Sequence, residues 1–312
     1  MNTVKNPILT LGPVLYNWPV ETWRDFYLMI ADEAPVNTVY LGEVICSKRA
    51  PLFDPHLEQV VTRLEAGGKE VVFSTLSETT SRIDRKLMKK IASSDGFNIE
   101  ANDVSALWHV KNQPHKIGPH MNVYNEESLK FFAANGATNI CLPPEMPAEG
   151  LKDLGTLAGE IGINLEVQVY GRIGLALSAR CYHARAWDRT KDSCKYICDI
   201  DSDGMDLHTL EGEPFLTING IQTQSYSCLN LIREIDQITS YGISGLRISP
   251  QSKGTLEAIN AFDGVVNNTL AMKEAVEILE ASRINAPFSN GFFYQKPGFE
   301  WVSATFDNTD FG

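Results

Sequence analysis

The sequence has little positive charge and no long apolar run. Lys and Arg number 27 against 39 Asp and Glu in 312 residues, and the formal net charge at pH 7 is −12 with His counted as neutral. Proteins that bind nucleic acids need clustered Lys and Arg for their phosphate contacts, so this balance argues against that class. Because a membrane-spanning helix needs about 20 consecutive apolar residues, no transmembrane segment is predicted.

Several common functional motifs are also missing. The chain contains no GxxxxGK, GxGxxG or HExxH segment, which removes the usual signatures of nucleotide binding and of zinc proteolysis. Pro7, Pro13 and Pro19 interrupt the start of the chain. A signal peptide needs a continuous apolar stretch in this region, so we predict a cytoplasmic protein.

Short β-branched segments alternate with amphipathic stretches along the chain. The predicted strands are residues 8–11, 38–41, 70–74, 97–100, 116–118, 139–142, 165–170 and 246–248. Several of them are apolar on both faces, which is typical of buried parallel strands. Eight strands with helices between them predict a TIM-barrel-like (β/α) fold of the α/β class. A doubly wound open sheet is the alternative, because counting strands does not show closure.

One polar block interrupts this alternation. Residues 179–214 contain three cysteines and many charges, and they predict an insertion after the strand at 165–170. Such barrels bind ligands in the loops at the carboxyl ends of their strands, where this insertion begins. Residues 285–312 are irregular but aromatic, and we expect this tail to pack on the barrel. We therefore predict a single barrel domain over residues 1–312.

The six cysteines fall into two groups. Cys141 lies in an apolar strand-like segment and Cys228 at the start of an apolar helical stretch, and both are predicted to be core thiols. The other four, which have polar or basic neighbours, are Cys46, Cys181, Cys194 and Cys198. Nearby positive charge favours the thiolate, which is the form that binds metal. This second group is therefore the candidate metal site.

Four thiolates can hold either a structural zinc ion or a four-iron cluster. Only Cys194 and Cys198 have the close spacing that is typical of zinc sites. A cubane cluster tolerates mixed spacing if the fold supplies the remaining thiolate. From the residues alone, an iron–sulfur site, a zinc site and separate structural thiols all remain open. His183 is a further candidate ligand, although a His beside a Cys is more often only a neighbour.

Two other segments have candidate binding chemistry. Arg247 and Ser249 lie at the end of a late strand, where they could bind an anion or form an ordinary solvated rim. His109, His115 and His120 lie close together, as general acids and bases sometimes do. No carboxylate or nucleophile accompanies them at a telling distance, so loop or barrel-lining roles are predicted. No residue is assigned a catalytic role.

Seven segments resemble one branch of a known family. They are LGPVL at 11–15, LGEVICSKR at 41–49, SARC at 178–181, KDSC at 191–194 with Cys198, NGIQT at 219–223, RISPQ at 247–251 and NGF at 290–292. In this order they are similar to the UbiV branch of peptidase family U32, over nearly the whole chain. The GEVICSKR segment discriminates best, because it supplies an N-terminal cysteine where other U32 members draw all four from the second half.

The resemblance implies a barrel-like fold and a [4Fe–4S] cluster, which is carried over here to Cys46, Cys181, Cys194 and Cys198. It also implies a heterodimer with a UbiU-like protein. That pair supports O2-independent hydroxylation of the ubiquinone ring precursor in bacteria growing without oxygen. A lipid-binding accessory protein of ubiquinone biosynthesis is implied as a further partner. The chain would thus be a subunit of a hydroxylase, and no peptidase activity is implied for this branch.

Cys228 departs from this assignment, because it lies where other U32 members place their last ligand. The match around Cys46 is stronger, so Cys228 is assigned to the core. Two other functions remain open. One is a zinc-stabilised scaffold that binds a partner without a redox role. The other is a U32-type peptidase, for which the sequence offers neither a nucleophile nor an open metal position.

Overall fold

A computed structural model describes residues 6–94, 96–111 and 113–303. The strands are β1 (Ile8–Leu11), β2 (Thr38–Leu41), β3 (Glu70–Ser74), β4 (Asn98–Ala101), β5 (His115–Ile117), β6 (Ala137–Leu142), β7 (Asn164–Leu177), β8 (Met205–His208), β9 (Pro214–Asn219), β10 (Gln222–Asn230), β11 (Gly245–Ile248) and β12 (Phe288–Ser289). The α-helices are α1 (Val20–Glu33), α2 (Ala50–Ala66), α3 (Arg82–Ala92), α4 (Val104–Val110), α5 (Glu126–Ala134), α6 (Ala148–Ile161), α7 (Tyr182–Arg185), α8 (Ile235–Ser240), α9 (Thr255–Val266) and α10 (Met272–Ser282).

Eight parallel strands close into a barrel. Strands β1 to β7 pair in chain order, and β11 pairs with both β7 and β1. Every one of these pairings is parallel. The predicted TIM-barrel-like α/β fold is therefore confirmed, and the open-sheet alternative is excluded because the pairing of β1 with β11 leaves no free edge.

The interior of the barrel is polar. Arg247 of β11 lies between Glu100 of β4 and Glu166 of β7, and each nitrogen–oxygen distance is 2.7 Å. The guanidinium also lies 3.9 Å from the centroid of the Tyr40 ring in β2, and the Tyr40 hydroxyl donates to Glu166. Successive residues of a barrel strand face opposite sides. The neighbouring residue Val39 accordingly belongs to the apolar core that the helices cover.

A β-sheet arm extends from one side of the barrel mouth. Strand β7 continues to Leu177 and pairs antiparallel with β10, which pairs in turn with β9, and β9 with β8. The polar block predicted at 179–214 contains α7, β8 and a 3₁₀ turn at Ile197–Ile200. Cys228 lies in strand β10, not at the start of a helix as predicted. The antiparallel pairing with β7 and the short pairing with β12 determine its strand conformation.

The described part of the C-terminal tail packs on the barrel. Phe288 of β12 lies against the rings of Tyr170 and Trp301. Residues 304–312 of the predicted tail, like residues 1–5, lie outside the described residues. None of the helices in the described ranges is both long enough and apolar enough to cross a bilayer.

Candidate functional site

The four cysteines that have polar or basic neighbours in the sequence line one small pocket, which has a free volume of about 20 Å³. Cys46 comes from the loop between β2 and α2, whereas Cys181 lies just before α7. Cys198 lies in the 3₁₀ turn that follows, and Cys194 lies just before that turn. The lining is completed by Lys48, Arg49, Lys191, Tyr196, Ile197, Gly220 and Ile221. The fold therefore brings the early cysteine to the three later ones.

The four thiols line a common space. In the part of the chain that the structure describes, no group of three or more His, Cys, Asp or Glu side chains stands close enough to hold a single metal ion. His183, the further candidate, is absent from the pocket lining, and its Nε2 lies 2.8 Å from Asp201 Oδ2.

The loop of Cys46 is shaped by Gly42 and Glu43. Gly42 has φ of +116°, and a Cβ there would lie 2.6 Å from the carbonyl oxygen of Ser74. The buried Glu43 carboxylate accepts hydrogen bonds from the N–H groups of Ile45 and Cys46, both at 2.8 Å. Gly42 and Glu43 thus have a structural role, because they stabilise the turn that places Cys46 at the pocket.

Two basic side chains approach the thiols. Arg49 is 1 % exposed, and it donates to the Leu15 carbonyl at 2.9 Å and to Asn219 Oδ1 at 3.1 Å. Its Nε has no hydrogen-bond partner within the described ranges. Lys48 Nζ lies 4.0 Å from the sulfur of Cys194. The pocket therefore combines four sulfur donors with fixed positive charge.

Burial outweighs this positive charge in setting the protonation of two of the thiols. Desolvation raises the pKa of Cys46, and the nearby Arg49 offsets only part of that effect. Burial likewise raises the pKa of Cys181. The basic neighbours do favour the thiolates of this pair, but burial has the larger effect on the pKa of both thiols.

The remaining two cysteines lie away from this pocket. Cys141 is fully buried in β6 and Cys228 is fully buried in β10. Burial raises the pKa of both thiols, that of Cys228 to about 12. Neither lines the cysteine pocket. Both therefore occupy the core positions expected from their apolar sequence surroundings.

A second and larger cavity opens at the carboxyl ends of the barrel strands. Its volume is about 380 Å³. The polar residues that line it are Glu100, Asn102, His120, Asn122, Tyr124, Glu145, Gln168, Arg172, Gln222, Arg247 and Ser249. We call this cavity the mouth pocket. Ligands of (β/α) barrels bind at this end of the barrel, so the mouth pocket is a second candidate site.

The structure changes the interpretation of two sequence candidates. Arg247 is 4 % exposed and Ser249 is 6 % exposed, so residues 247–249 do not form a solvated rim. Burial alone would raise the pKa of Glu166, but Arg247 lowers it to about 2. The charge of Arg247 is thus already offset by Glu100 and Glu166, and Arg247 is not free to bind an anion.

The three histidines separate in the fold. His109 lies in α4, and His115 is buried in β5 with Nδ1 2.7 Å from the Gln113 carbonyl oxygen. Only His120 lines the mouth pocket, where burial lowers its pKa to about 4. His120 therefore has a barrel-lining position, and its ring is neutral at pH 7. Most other polar residues of the pocket had no signal in the sequence, because they come from separate loops and strands.

Similarity to a known protein family extends over most of the chain. A sequence model described as Peptidase family U32 matches residues 20–303. Among solved structures, a protein assigned as a fructose-1,6-biphosphate aldolase from Coccidioides immitis is 10% identical, with a TM-score of 0.42 over 88% of this chain and 89% of that one. The orotidine 5'-monophosphate decarboxylase from Methanocaldococcus jannaschii is 13% identical, with a TM-score of 0.33 over 53% and 78%. Both likenesses are distant, and the fold assignment rests on the strand pairing.

Proposed function

The chain belongs to peptidase family U32, and on that premise we propose that it is an iron–sulfur protein of O2-independent ubiquinone biosynthesis. The proposed cofactor is a [4Fe–4S] cluster bound by Cys46, Cys181, Cys194 and Cys198. The proposed partner is a UbiU-like protein, with which the chain hydroxylates the ubiquinone ring precursor in the cytoplasm. The pathway and the partner rest on the resemblance of the GEVICSKR segment.

One observation carries the cofactor proposal: these four cysteines line the same pocket, whereas Cys141 and Cys228 do not. Each thiolate of a cubane cluster binds its own iron atom, so the four sulfurs stand farther apart than around one zinc ion. The four thiols line one shared pocket, which suits a cluster whose four iron atoms each take one thiolate.

The charge of the pocket also fits this group. Four thiolates bring four negative charges, and Lys48, Arg49 and Lys191 in the lining offset part of them. Arg49 is held in place by Leu15 and Asn219, and its Nε has no partner among the described residues. When bound, a four-iron cluster exchanges single electrons at a potential that its net charge and hydrogen bonds tune. Arg49 supplies buried positive charge beside the sulfurs of Cys46 and Cys198.

The cofactor proposal is tested by counting iron and sulfide in protein purified without oxygen. We expect about four of each per chain for the wild type. Cys46→Ala, Cys181→Ala, Cys194→Ala and Cys198→Ala should lose most of both, together with the visible absorption of the cluster. Cys141→Ala and Cys228→Ala are the matched controls and should retain it. Colourless wild-type protein with one zinc per chain would favour the scaffold instead, and casein cleavage by iron-free protein would favour a peptidase.

The pathway role is tested separately in a bacterium that makes ubiquinone without oxygen. Cells in which this chain is replaced by its Cys194→Ala variant should stop making ubiquinone anaerobically but not in air. The wild-type chain should co-purify with a UbiU-like protein. Normal anaerobic ubiquinone in the variant cells would contradict the proposed pathway, even if the cluster itself is found.

A further inference from the structure

Helix α3 concentrates positive charge on the outside of an acidic protein. Five of its eleven residues are basic and all five are exposed, whereas the whole chain has a net charge of −12. We call these five residues the basic face: Arg82, Arg85, Lys86, Lys89 and Lys90. The acidic residue of the helix, Asp84, is 3 % exposed and accepts hydrogen bonds from the N–H groups of Thr80 and Ser81. Asp84 is therefore not part of the basic face.

Most of the charge on the basic face has no counter-ion among the described residues. Lys90 lies 3.7 Å from Asp54, and no described carboxylate is within 4.0 Å of the other four basic groups. Three members of the basic face follow one another at intervals of four residues, and the other two are also four residues apart. Like charges at this spacing destabilise a helix. The pattern therefore does not stabilise α3 itself, and it favours a role in binding something negatively charged.

Exposed apolar side chains accompany the basic face. Ile83 of α3 is 63 % exposed, and α4, which packs against α3, carries Val104 and Trp108 at 70 % and 76 % exposure. Val104 and Trp108 are four residues apart, so they share one face of α4. Single exposed apolar residues are ordinary in proteins. A Val and a Trp together beside a basic helix match the two parts of an anionic bilayer surface, its charged headgroups and its apolar interior.

The neighbouring acidic residues reduce the positive charge of this surface without cancelling it. Glu78 precedes α3 in the sequence, and Asp95 and Asp103 follow it. With Asp54 these are four carboxylates, against the five groups of the basic face and Lys111 after α4. Eleven helical residues span about 16 Å, and exposed charges are screened beyond about 10 Å at 0.1 M salt. A negative surface in contact with α3 therefore interacts little with the acidic residues on the far side of the barrel.

We propose that α3 and α4 dock this protein on an anionic lipid bilayer. The basic face lies against the lipid phosphates, and Trp108 enters the headgroup region beside Val104. A bilayer suits this surface better than an acidic protein, because the basic groups run along the whole convex side of a helix and match a layer of mobile phosphates over an apolar interior. The contact is peripheral, since each basic residue near an anionic surface raises the binding constant only about fivefold. It requires no metal and does not depend on the proposed function.

The test is co-sedimentation of the full chain with lipid vesicles at about 0.1 M salt. One set of vesicles contains phosphatidylcholine alone, and the other contains equal parts of phosphatidylcholine and phosphatidylglycerol. We expect binding to the anionic vesicles only, and loss of that binding when the salt is raised to about 1 M, where screening is nearly complete. Equal binding to both sets, or no binding to the anionic vesicles at millimolar lipid, would overturn the proposal.

Matched charge variants locate the contact. Lys86→Gln with Lys89→Gln removes two charges from the basic face and should weaken binding to the anionic vesicles about 25-fold. Lys130→Gln with Lys273→Gln changes the net charge equally, but on α5 and α10, and should alter the binding less than about twofold. An equal loss in the two double variants would show that net charge, and not α3, determines the binding.

Trp108 reports how deeply the surface enters the bilayer. Lipids with brominated chains quench the fluorescence of a tryptophan that has entered the membrane, so the quenching seen in the wild type should be mostly absent in Trp108→Phe. Equal quenching in both proteins would place another surface on the bilayer and contradict the proposal. Polyglutamate is the alternative probe. If it binds and the anionic vesicles do not, and if the Lys86→Gln, Lys89→Gln variant loses it, the basic face binds an acidic protein instead.

Discussion

At the scale of single residues, Arg247 balances the charge of the barrel interior. It lies 2.7 Å from Glu100 and from Glu166, and both carboxylates are about 1 % exposed. Arg247→Met leaves two buried carboxylates without their cation, so we expect the free energy of unfolding to fall by about 3–5 kcal/mol. Urea unfolding measures this loss. The control is Arg63→Met, which breaks an exposed ion pair with Asp32 and should change stability little. A similar loss in both variants would contradict the role of burial.

The lowered pKa of His120 predicts that the stability of the fold depends on pH. An unfolded histidine binds a proton near pH 6.5, whereas burial lowers the pKa of folded His120 to about 4. Between these values the unfolded chain holds more protons, so the free energy of unfolding should fall as the pH falls. Nearby Glu100 opposes the lowering and Arg247 adds to it. His115, whose pKa burial also lowers, contributes in the same direction.

The measurement is urea unfolding between pH 7 and pH 4. His120→Asn should reduce the slope of stability against pH over this interval. The same substitution at the exposed His208 should not change it. An unchanged slope in His120→Asn would mean that the folded state accepts the proton on this ring without cost.

At the scale of elements, two of the three glycines in helix α6 have opposite roles. A Cβ on Gly155 would lie 1.9 Å from the carbonyl oxygen of Tyr241, whereas a Cβ on Gly159 would meet nothing within 4 Å. Gly155→Ala should therefore lower the free energy of unfolding by about 1–3 kcal/mol through overpacking. Gly159→Ala should raise it by about 0.5–1 kcal/mol, because glycine is a poor helix former. Changes of the same sign in thermal unfolding would contradict this account of the helix packing.

At the scale of the whole molecule, the cysteine pocket joins the barrel to its polar insertion. Lys48 donates to the carbonyl oxygens of Lys191 and Asp192, and the Tyr196 hydroxyl donates to the Lys48 carbonyl. If the pocket holds metal, chelation should loosen residues 181–200 and leave the closed barrel intact. Hydrogen exchange should therefore rise in that segment but not in β1 or β11. Equal exchange with and without chelator would show that these hydrogen bonds suffice without metal.

The sequence by itself determined the identities of the barrel elements. Strands at 8–11, 38–41 and 70–74 are as predicted, and the others differ mainly at their ends. The reason is local: runs that are apolar on both faces suit parallel strands that are covered by helices. The buried positions of Cys141 and of the other apolar residues in these strands follow from the same pattern. The strand conformation of Cys228 does not, because its pairing partners lie far away in the chain.

Only the tertiary structure decided that the barrel closes and that the cysteine pocket and the mouth pocket form. The barrel closes because β11 pairs with β1, a contact between strands far apart in the chain that no local pattern encodes. The closed barrel brings Arg247 to Glu100, and it places Asn102 and Gln222 in the lining of one cavity. Polar and basic neighbours in the sequence already single out the four cysteines, but their common pocket depends on how the insertion folds back over the loop of Cys46. Spatial neighbours that are distant in sequence become visible only when the chain is folded.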